Sequence, residues 1–282
     1  GRDATCYMDK QSREKPVVYF VGPVHGHEVE GLTGLASLIR VMETGRDLRG
    51  TEQPALRQLG DRCRLLIVPA GNPDGTARFE PRAIAGLPKE EFQFWAMGTW
   101  SDNTIAVWPT SKRQHPRTGP SIGYMGCYFN DAGINPMHDE FFAPMSREAP
   151  AILRVAMLEG PDLAVSLHSH ESAPAVLRPA YLPLEEQEDV CLLAEEYYAA
   201  MDGKQLPHGR PFTPTIEKGE HPAPFNLTSA LYHISGATSF TFECPHGVDG
   251  EKACHVSLDQ ILDVQLTLYE TMLRHALAEK ES

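Results

Sequence analysis

Four short apolar runs, separated by segments of helical periodicity, constrain the fold of this 282-residue chain more than any other feature. The runs lie at residues 16–22, 63–70, 162–167 and 237–242. Short, almost continuously apolar runs are typical of strands that are buried on both faces of a mostly parallel sheet. Parallel neighbours need crossover connections, so the helical segments between the runs predict an α/β fold with helices on both faces of the sheet.

Helical spacing is clearest in three segments. Apolar residues recur every three or four positions between Leu32 and Met42, and Gly45 follows as a stop signal. The pattern returns between Val190 and Met201, and in a last helix Ser257 and Gln260 are placed to form a capping box. These segments predict three amphipathic helices that pack on the sheet.

The length of the chain suits one large domain over residues 1–282, or at most two, and its 41% hydrophobic content is enough for a full core. Residues 83–125 and 203–226 lack a sustained period. Irregular stretches of this length usually shape a site in a compact domain. Their role as a lid, a specificity wall or a subunit contact stays open, as does the oligomeric state.

His25 and Glu28 follow the first strand, at the end where α/β sheets place their ligands. An imidazole and a carboxylate three positions apart can bind one Zn²⁺ from the same turn. Gly26 is expected to let the backbone turn sharply between them. His27 is an alternative ligand that would point away from Glu28, and an ordinary polar loop is the alternative for the pair.

Two further strands end in residues suited to the same site. His168 follows the run at 162–167 and can act as a third ligand, which leaves the fourth position of a catalytic zinc open for water. Glu243 follows the run at 237–242, where a carboxylate is costly unless it has a partner or a role. Beside His168 it could take a proton from water and deliver it to a leaving group. A structural histidine and a salt bridge at the sheet edge are the alternatives.

Asn72-Pro-Asp-Gly75 predicts a turn after the strand at 63–70. An arginine that follows it, Arg78 or Arg82, could stabilise an oxyanion near a metal. Two solvated arginines are the alternative.

Together these segments resemble the zinc metallocarboxypeptidases of the carboxypeptidase A type. Four landmarks occur in that family's order and at comparable spacing: His25–Glu28, Asn72–Gly75, Leu167–Ser169 and Ser239–Glu243. The resemblance implies a mixed, mainly parallel eight-stranded sheet sandwiched between helices. It also implies one Zn²⁺ per chain, bound by His25, Glu28 and His168. Glu243 would be the general base and acid, and Tyr232 would be a mobile residue that caps the substrate.

Two features depart from that family's pattern. The family's Asn-Arg pair, which binds the C-terminal carboxylate of the substrate, corresponds here to Asn130 and Asp131. A carboxylate at position 131 would repel a free C-terminus, so either another cation binds it or the substrate differs, for example by carrying an amine. For the oxyanion arginine, Arg82 fits the spacing after Gly75, and Arg113 fits if an insertion precedes it.

The net charge of −13 argues against nucleic acid and anionic membranes as partners. No apolar run approaches the 18 or so residues that span a bilayer. The six cysteines are scattered without a CxxC pair, so we expect reduced thiols and a cytoplasmic protein.

These observations predict a zinc-dependent hydrolase that cleaves an amide bond of a peptide or an acyl-amino acid. A metallocarboxypeptidase is the first expectation. The alternative is a deacylase or amidase that acts on a small acylated amino acid or a modified peptide. A catalytically silent binding module of the same fold is a third interpretation, although it would typically have lost a ligand or the glutamate. A second metal near His27, His170 and His246 stays open.

Overall fold

A computed structural model describes residues 7–8, 14–214, 223–251 and 253–281 of the chain. Its strands are β1 (Tyr7–Met8), β2 (Val17–Val21), β3 (Arg64–Val68), β4 (Gly98–Trp100), β5 (Ile122–Met125), β6 (Leu163–His170), β7 (Ala175–Leu177) and β8 (Thr238–Pro245). Its α-helices are α1 (Val29–Thr44), α2 (Pro54–Arg62), α3 (Pro73–Arg78), α4 (Lys89–Met97), α5 (Glu148–Glu159), α6 (Leu184–Gly203), α7 (Leu227–Ser235) and α8 (Leu258–Glu281). Two short 3₁₀ helices span Thr110–Arg113 and Pro136–His138.

The main sheet has the strand order β1-β3-β2-β6-β8-β7. The four central strands are parallel, and β1 and β7 pair antiparallel at its edges. The predicted mixed, mainly parallel sheet is therefore confirmed. The expected number of eight strands is wrong for the described residues, in which this sheet has six strands. The reason is that β4 and β5 pair with each other in a separate sheet and do not extend an edge of the main one.

The side chains of β2 alternate between two cores. Val18 and Phe20 belong to the core that includes α1, α2, α6 and α8. Val17, Tyr19 and Val21 belong to the core on the other face, with α5 and α7. This period of two, with both faces covered, explains why the strand is apolar at every position. The prediction of helices on both faces is confirmed.

The predicted helix signals are present in the structure. Helix α1 ends before Gly45, which adopts a left-handed conformation with φ 76°. In the capping box before α8, the amide of Ser257 donates to Gln260 Oε1 at 2.9 Å, and the amide of Gln260 donates to Ser257 Oγ at 3.2 Å. The segment 83–125 contains α4, β4 and β5, although its sequence shows no sustained period. Part of the segment 203–226, residues 215–222, lies outside the described residues.

The thiol and membrane predictions can be compared with the described part of the chain. Its cysteines are free thiols, namely Cys63, Cys127, Cys191, Cys244 and Cys254. Cys6 lies outside the described residues. Among the helices that the structure describes, none combines the length and the apolar character that crossing a membrane requires.

One buried histidine joins α8 to α6. His275 Nε2 lies 3.0 Å from Asp189 Oδ1, and His275 Nδ1 lies 3.1 Å from Glu196 Oε2. Glu279 of α8 is close enough to join this cluster. Burial alone would lower the pKa of His275, but the two carboxylates of α6 outweigh it and raise the pKa. The protonated imidazole can therefore act as the cation that holds the two helices together.

The contribution of His275 to stability is expected to depend on pH. A histidine whose pKa is raised in the folded state stabilises the fold fully when the pH is below its unfolded-state pKa of about 6.5. This contribution is lost as the pH rises through the folded-state pKa. Replacing His275 by Gln should lower the free energy of unfolding by about 2 kcal/mol at pH 5.5, the usual contribution of a hydrogen bond to a charged group. Urea unfolding at pH 5.5 and pH 8.5 measures this difference. A deficit of equal size at both pH values would contradict the assignment, and His233→Gln, at an exposed site on α7, is the control.

Candidate active site

Three neighbouring parallel strands bring the predicted metal ligands and the predicted base to one edge of the sheet. His25 and Glu28 lie on the segment between β2 and α1, whereas His168 lies near the end of β6. Glu243 lies on β8 and is the register partner of His168. Strand β6 pairs with β2 on one side and with β8 on the other, so the carboxyl ends of all three strands meet. Ligands of open α/β sheets bind at this edge.

His25, Glu28 and His168 form a compact, buried group. The Nδ1 atom of His25 lies 2.8 Å from Oε1 of Glu28. The Nδ1 atom of His168 lies 3.0 Å from Oε2 of the same carboxylate and 3.1 Å from Nδ1 of His25. The three residues are 4%, 3% and 2% exposed, respectively. Glu28 is the N-cap residue of α1, yet its side chain makes no capping hydrogen bond and turns to the histidines.

This donor set fits a zinc ion. Ligand atoms about 2.0–2.1 Å from a tetrahedral zinc are separated from one another by roughly 3.3 Å, close to the spacing of these three atoms. Burial lowers the pKa of His25 to about 4, so its imidazole is neutral and offers a lone pair. Burial would raise the pKa of Glu28, but the two histidines outweigh it and hold the carboxylate in its charged form. Ser166 Oγ lies 3.1 Å from Nε2 of His168 and fixes the orientation of that ring.

Glu243 is placed as a base beside this group. Its Oε2 atom is buried and has no hydrogen-bond partner among the described residues, although part of the side chain remains accessible. Burial raises the pKa of Glu243 to about 7, with His168 opposing the shift and Glu28 adding to it. A carboxylate with a pKa near neutrality, free of other bonds, is suited to accepting and returning a proton.

The Asn-Pro-Asp-Gly motif supports the metal-binding segment. The predicted turn is wrong, because Asn72 caps α3 by accepting a hydrogen bond from the amide of Gly75 at 2.9 Å. The end of this motif packs on Gly26, where a Cβ atom would lie 2.1 Å from the carbonyl carbon of Gly75 and 2.2 Å from the nitrogen of Thr76. Gly26 is thus required for close approach. Gly26 also lies in the expected sharp turn, in which the amide of Glu28 donates to the carbonyl of His25 at 3.0 Å.

Asn130 and Asp131, the predicted substrate-binding pair, make other bonds. The buried side chain of Asn130 accepts from the amides of Ala132 and Ile134 at 3.0 Å each and donates to Glu148 at 2.8 Å. Asp131 is exposed, and its carboxylate accepts from Arg78 Nη2 at 2.6 Å. The structure therefore engages both side chains in bonds within the protein.

The predicted oxyanion arginines are not brought into the metal group. Arg82 and Arg113 are both exposed. The charge of Arg113, on the 3₁₀ helix Thr110–Arg113, reaches His138 and Lys112. Tyr232 is half-buried on α7, where its ring contacts that of His233 at 5.2 Å. These three predicted residues thus lie apart from the close contacts that join His25, Glu28 and His168.

Three residues that sequence reasoning missed lie next to the metal group. The ring of Tyr128 contacts those of His25 at 4.4 Å and His27 at 4.6 Å. The charge of half-buried Lys112 acts on Glu28 and Glu243. Burial lowers the pKa of His138 to about 3, with further lowering by His25 and Lys112. Their only sequence signal was a position in the irregular segment 83–125 or shortly after it.

A second metal at the other histidines finds no support in the described residues. Apart from the group of His25, the described residues contain one other set of three side chains with metal-ligand spacing, Asp189, His275 and Glu279. That set lies on α6 and α8, and the raised pKa of His275 favours its protonated form, which has no lone pair to offer a metal. His27 is fully buried among aromatic rings, and burial lowers its pKa to about 3.

Comparison with known families gives one match. The family model for zinc carboxypeptidases matches residues 4–131, a region that includes His25 and Glu28 and ends before His168 and Glu243. The comparison with curated proteins found no match.

Several solved structures with a similar fold are described as metallo-carboxypeptidases or carboxypeptidases. The metallo-carboxypeptidase from Burkholderia cenocepacia is 16% identical with a TM-score of 0.57, over 97% of this chain and 61% of that chain. The metallo-carboxypeptidase from Pseudomonas aeruginosa, in complex with (2-guanidinoethylmercapto)succinic acid, is 15% identical with a TM-score of 0.57, over 100% and 62%. Carboxypeptidase A from Helicoverpa armigera is 17% identical with a TM-score of 0.55, over 96% and 64%. The present chain thus spans about three fifths of the length of these proteins, and at such identities the likeness establishes the fold.

Proposed function

Because the zinc carboxypeptidase family model matches residues 4–131 and metallo-carboxypeptidases share the fold, we propose that this chain is a divergent member of that family and a zinc-dependent hydrolase that cleaves an amide bond. The observation that carries the proposal is the placement of Glu243 directly across from His168 on the neighbouring strand. A half-buried carboxylate, whose buried Oε2 atom has no hydrogen-bond partner among the described residues, thereby lies next to a group of three metal-competent atoms. A binding module would need the metal group but not this base.

His25, Glu28 and His168 would hold one zinc ion in this site. When bound, zinc would lower the pKa of a coordinated water molecule and would polarise the carbonyl of the amide. Glu243 would accept the proton of the attacking water, because its carboxylate is free and its pKa lies near 7. The same group would then deliver that proton to the departing amine. Tyr128 and the other rings around His25 would limit access of bulk water to the reacting atoms.

The first substrate candidate is a peptide that loses its C-terminal residue, as the family membership suggests. A second candidate, an N-acylated amino acid or a modified peptide, follows from the aspartate that stands at the position of the family's arginine, although Arg78, which pairs with Asp131, places a cation beside that position. The amide of Asn130 is engaged by Ala132, Ile134 and Glu148, and Asp131 pairs with Arg78. Neither side chain is therefore free to bind a terminal carboxylate in the way the family's Asn-Arg pair does.

The proposal is tested with zinc-loaded protein and a matched substrate set. The set contains peptides with a free C-terminus, the same peptides amidated at the C-terminus, and N-acyl amino acids, with product release followed by mass spectrometry. Hydrolysis that disappears with a chelator and returns with zinc supports the proposal. Equal rates on free and amidated peptides would favour the second substrate candidate. Protein that holds one zinc ion per chain and hydrolyses none of the three classes would contradict the proposal.

A further inference from the structure

We propose that Lys112 is the cation that stabilises the negative oxygen formed from the scissile carbonyl during hydrolysis. The inference rests on the proposed function and assigns a role that neither Arg82 nor Arg113 is placed to fill, since both are exposed. Lys112 lies on the 3₁₀ helix Thr110–Arg113, one residue before Arg113. Consecutive residues of such a helix point about 120° apart, and of these two Lys112 is half-buried whereas Arg113 is exposed.

The position of Lys112 is defined by its contacts with two aromatic rings. Its Nζ atom lies 5.4 Å from the centre of the Trp108 ring and 5.8 Å from the centre of the Tyr128 ring. The Tyr128 ring is in turn 4.4 Å from the ring of the metal-competent His25. The ammonium group is therefore held beside the metal group by cation–π contacts, which are strongest where water is excluded.

The charge of Lys112 acts on both sides of the reacting centre. It interacts electrostatically with Glu28, in the metal group, and with Glu243, the proposed base. If Glu243 activates the water molecule that attacks the substrate, the substrate carbonyl would lie between these two carboxylates. The charge of the ammonium group therefore acts on the region where negative charge develops, and preorganised charge in a buried site is a large source of transition-state stabilisation.

The ammonium group is available for this role. Among the described residues, no hydrogen bond or ion pair closes on Lys112 Nζ, whereas its backbone carbonyl accepts a hydrogen bond from Asn135 Nδ2 at 3.0 Å. Asn135 also caps the 3₁₀ helix Pro136–His138 through its Oδ1 atom, which accepts from the amide of Met137 at 3.1 Å. This fully buried asparagine therefore anchors the turn that carries Lys112 and leaves the side chain free.

Other cations near the site have different partners. Arg78 donates to the carbonyls of Gly126 and Phe129 and to the carboxylate of Asp131. Arg117 is 2% exposed and donates to the carbonyl of Met97. These bonds stabilise the fold around the site and leave Lys112 as the cation whose charge reaches Glu28 and Glu243.

The chemical step balances with Lys112 unchanged. The oxygen of the water molecule forms a bond to the carbonyl carbon, its proton passes to Glu243, and the π pair of the carbonyl moves to the carbonyl oxygen. Lys112 donates a hydrogen bond to that oxygen and keeps its proton. The lone pair then restores the carbonyl, the carbon–nitrogen bond breaks, and the amine leaves with the proton from Glu243.

The test compares Lys112→Met with Lys112→Arg in the zinc-loaded protein. We expect Lys112→Met to lower kcat by about 10²- to 10³-fold, the usual effect of removing one oxyanion donor, with KM and zinc content changed less than about threefold. Lys112→Arg keeps the positive charge, and its kcat should be at least tenfold higher than that of Lys112→Met. Lys89→Met, which removes an exposed lysine paired with Glu171, is the matched control and should leave kcat unchanged.

Three results would overturn the assignment while leaving the proposed function intact. The first is a kcat of Lys112→Met within about threefold of wild type, and the second is a rise in the KM of Lys112→Met with no loss of kcat. The third is a loss of kcat in Arg113→Met that Lys112→Met does not show. Circular dichroism and zinc content show whether each variant is folded.

A binding measurement separates failure of this inference from failure of the proposed function. Inorganic phosphate serves as a tetrahedral oxyanion and is titrated calorimetrically into zinc-loaded wild type and Lys112→Met. At least tenfold weaker binding to the variant supports Lys112 as the oxyanion ligand even if no substrate is hydrolysed. If wild type hydrolyses nothing and both proteins bind phosphate equally, or neither binds it, the proposed function and this inference fail together.

Discussion

Replacing Glu243 by glutamine is expected to lower kcat for amide hydrolysis by about 10³-fold while zinc binding is retained in full. Glutamine has nearly the same shape as glutamate but cannot accept a proton from water and return it to the amine. Because Oε2 of Glu243 has no hydrogen-bond partner among the described residues, the substitution breaks no bond of the described fold. Steady-state kinetics, combined with metal analysis of the same samples, measures both parts of this prediction.

Glu30→Gln is a matched control for this substitution. Glu30 is also a buried glutamate near the metal group, and its Oε2 accepts a hydrogen bond from Ser169 at 2.9 Å. Burial raises its pKa to about 8, so at neutral pH it is mostly protonated and glutamine is a close substitute. We expect kcat within about threefold of wild type, as for a residue outside the proton transfer.

Two outcomes would contradict the role of Glu243. Equal losses in Glu243→Gln and Glu30→Gln would show that both act through the fold. Equal zinc binding, with no hydrolysis by wild type or variant in a broad peptide and acyl-amino-acid panel, would favour a catalytically silent binding module.

The sequence predicted those parts of the molecule that depend on period and burial. The apolar runs became β2, β3, β6 and β8 because a strand covered on both faces is apolar at every position. Parallel pairing then brings strand ends together, so three distant segments of sequence meet at one sheet edge. That reasoning places His168 opposite Glu243, although 75 positions separate them along the chain (243 − 168).

The residues beside the metal group could not be predicted in the same way. Lys112 and His138 belong to 3₁₀ helices within irregular chain, and their directions depend on the hydrogen bonds of Asn135, which join two such turns. No periodicity reports which of two neighbouring cations is the more buried, so the sequence offered Arg82 and Arg113 as candidates and gave no signal for Lys112. Packing against Gly75 likewise gives Gly26 a role that a turn signal cannot reveal.

The arginine partner of Asp131 illustrates a different limit. The family's motif suggested that position 131 contacts substrate, but a side chain's role depends on its neighbours as well as on its place in a motif. Here Arg78, six residues after Asn72, pairs with Asp131 and also caps two carbonyls of the same loop. The aspartate at position 131 is therefore accompanied by a cation within the described fold, and its contact with substrate stays a prediction.

Replacing His168 by alanine is expected to abolish stoichiometric zinc binding, because only two of the three close donor atoms would remain. The zinc content after dialysis against a competing chelator should fall from about one ion per chain to near zero. Zinc at a hundredfold excess over its Kd should also raise the free energy of unfolding of wild type by about 2.7 kcal/mol, and should leave His168→Ala unchanged.

Ser166→Ala separates the loss of a ligand from a disturbance of β6. It keeps the imidazole of His168 and removes only the hydroxyl that lies 3.1 Å from Nε2. Such a loss of orientation typically lowers metal affinity by about 10- to 100-fold, so this variant should still bind zinc when zinc is abundant. Full zinc occupancy in His168→Ala would remove His168 from the metal site. An equal loss of zinc binding in both variants would mean that zinc binding depends on the local structure of β6. The loss in His168→Ala would then not be evidence that His168 is a ligand.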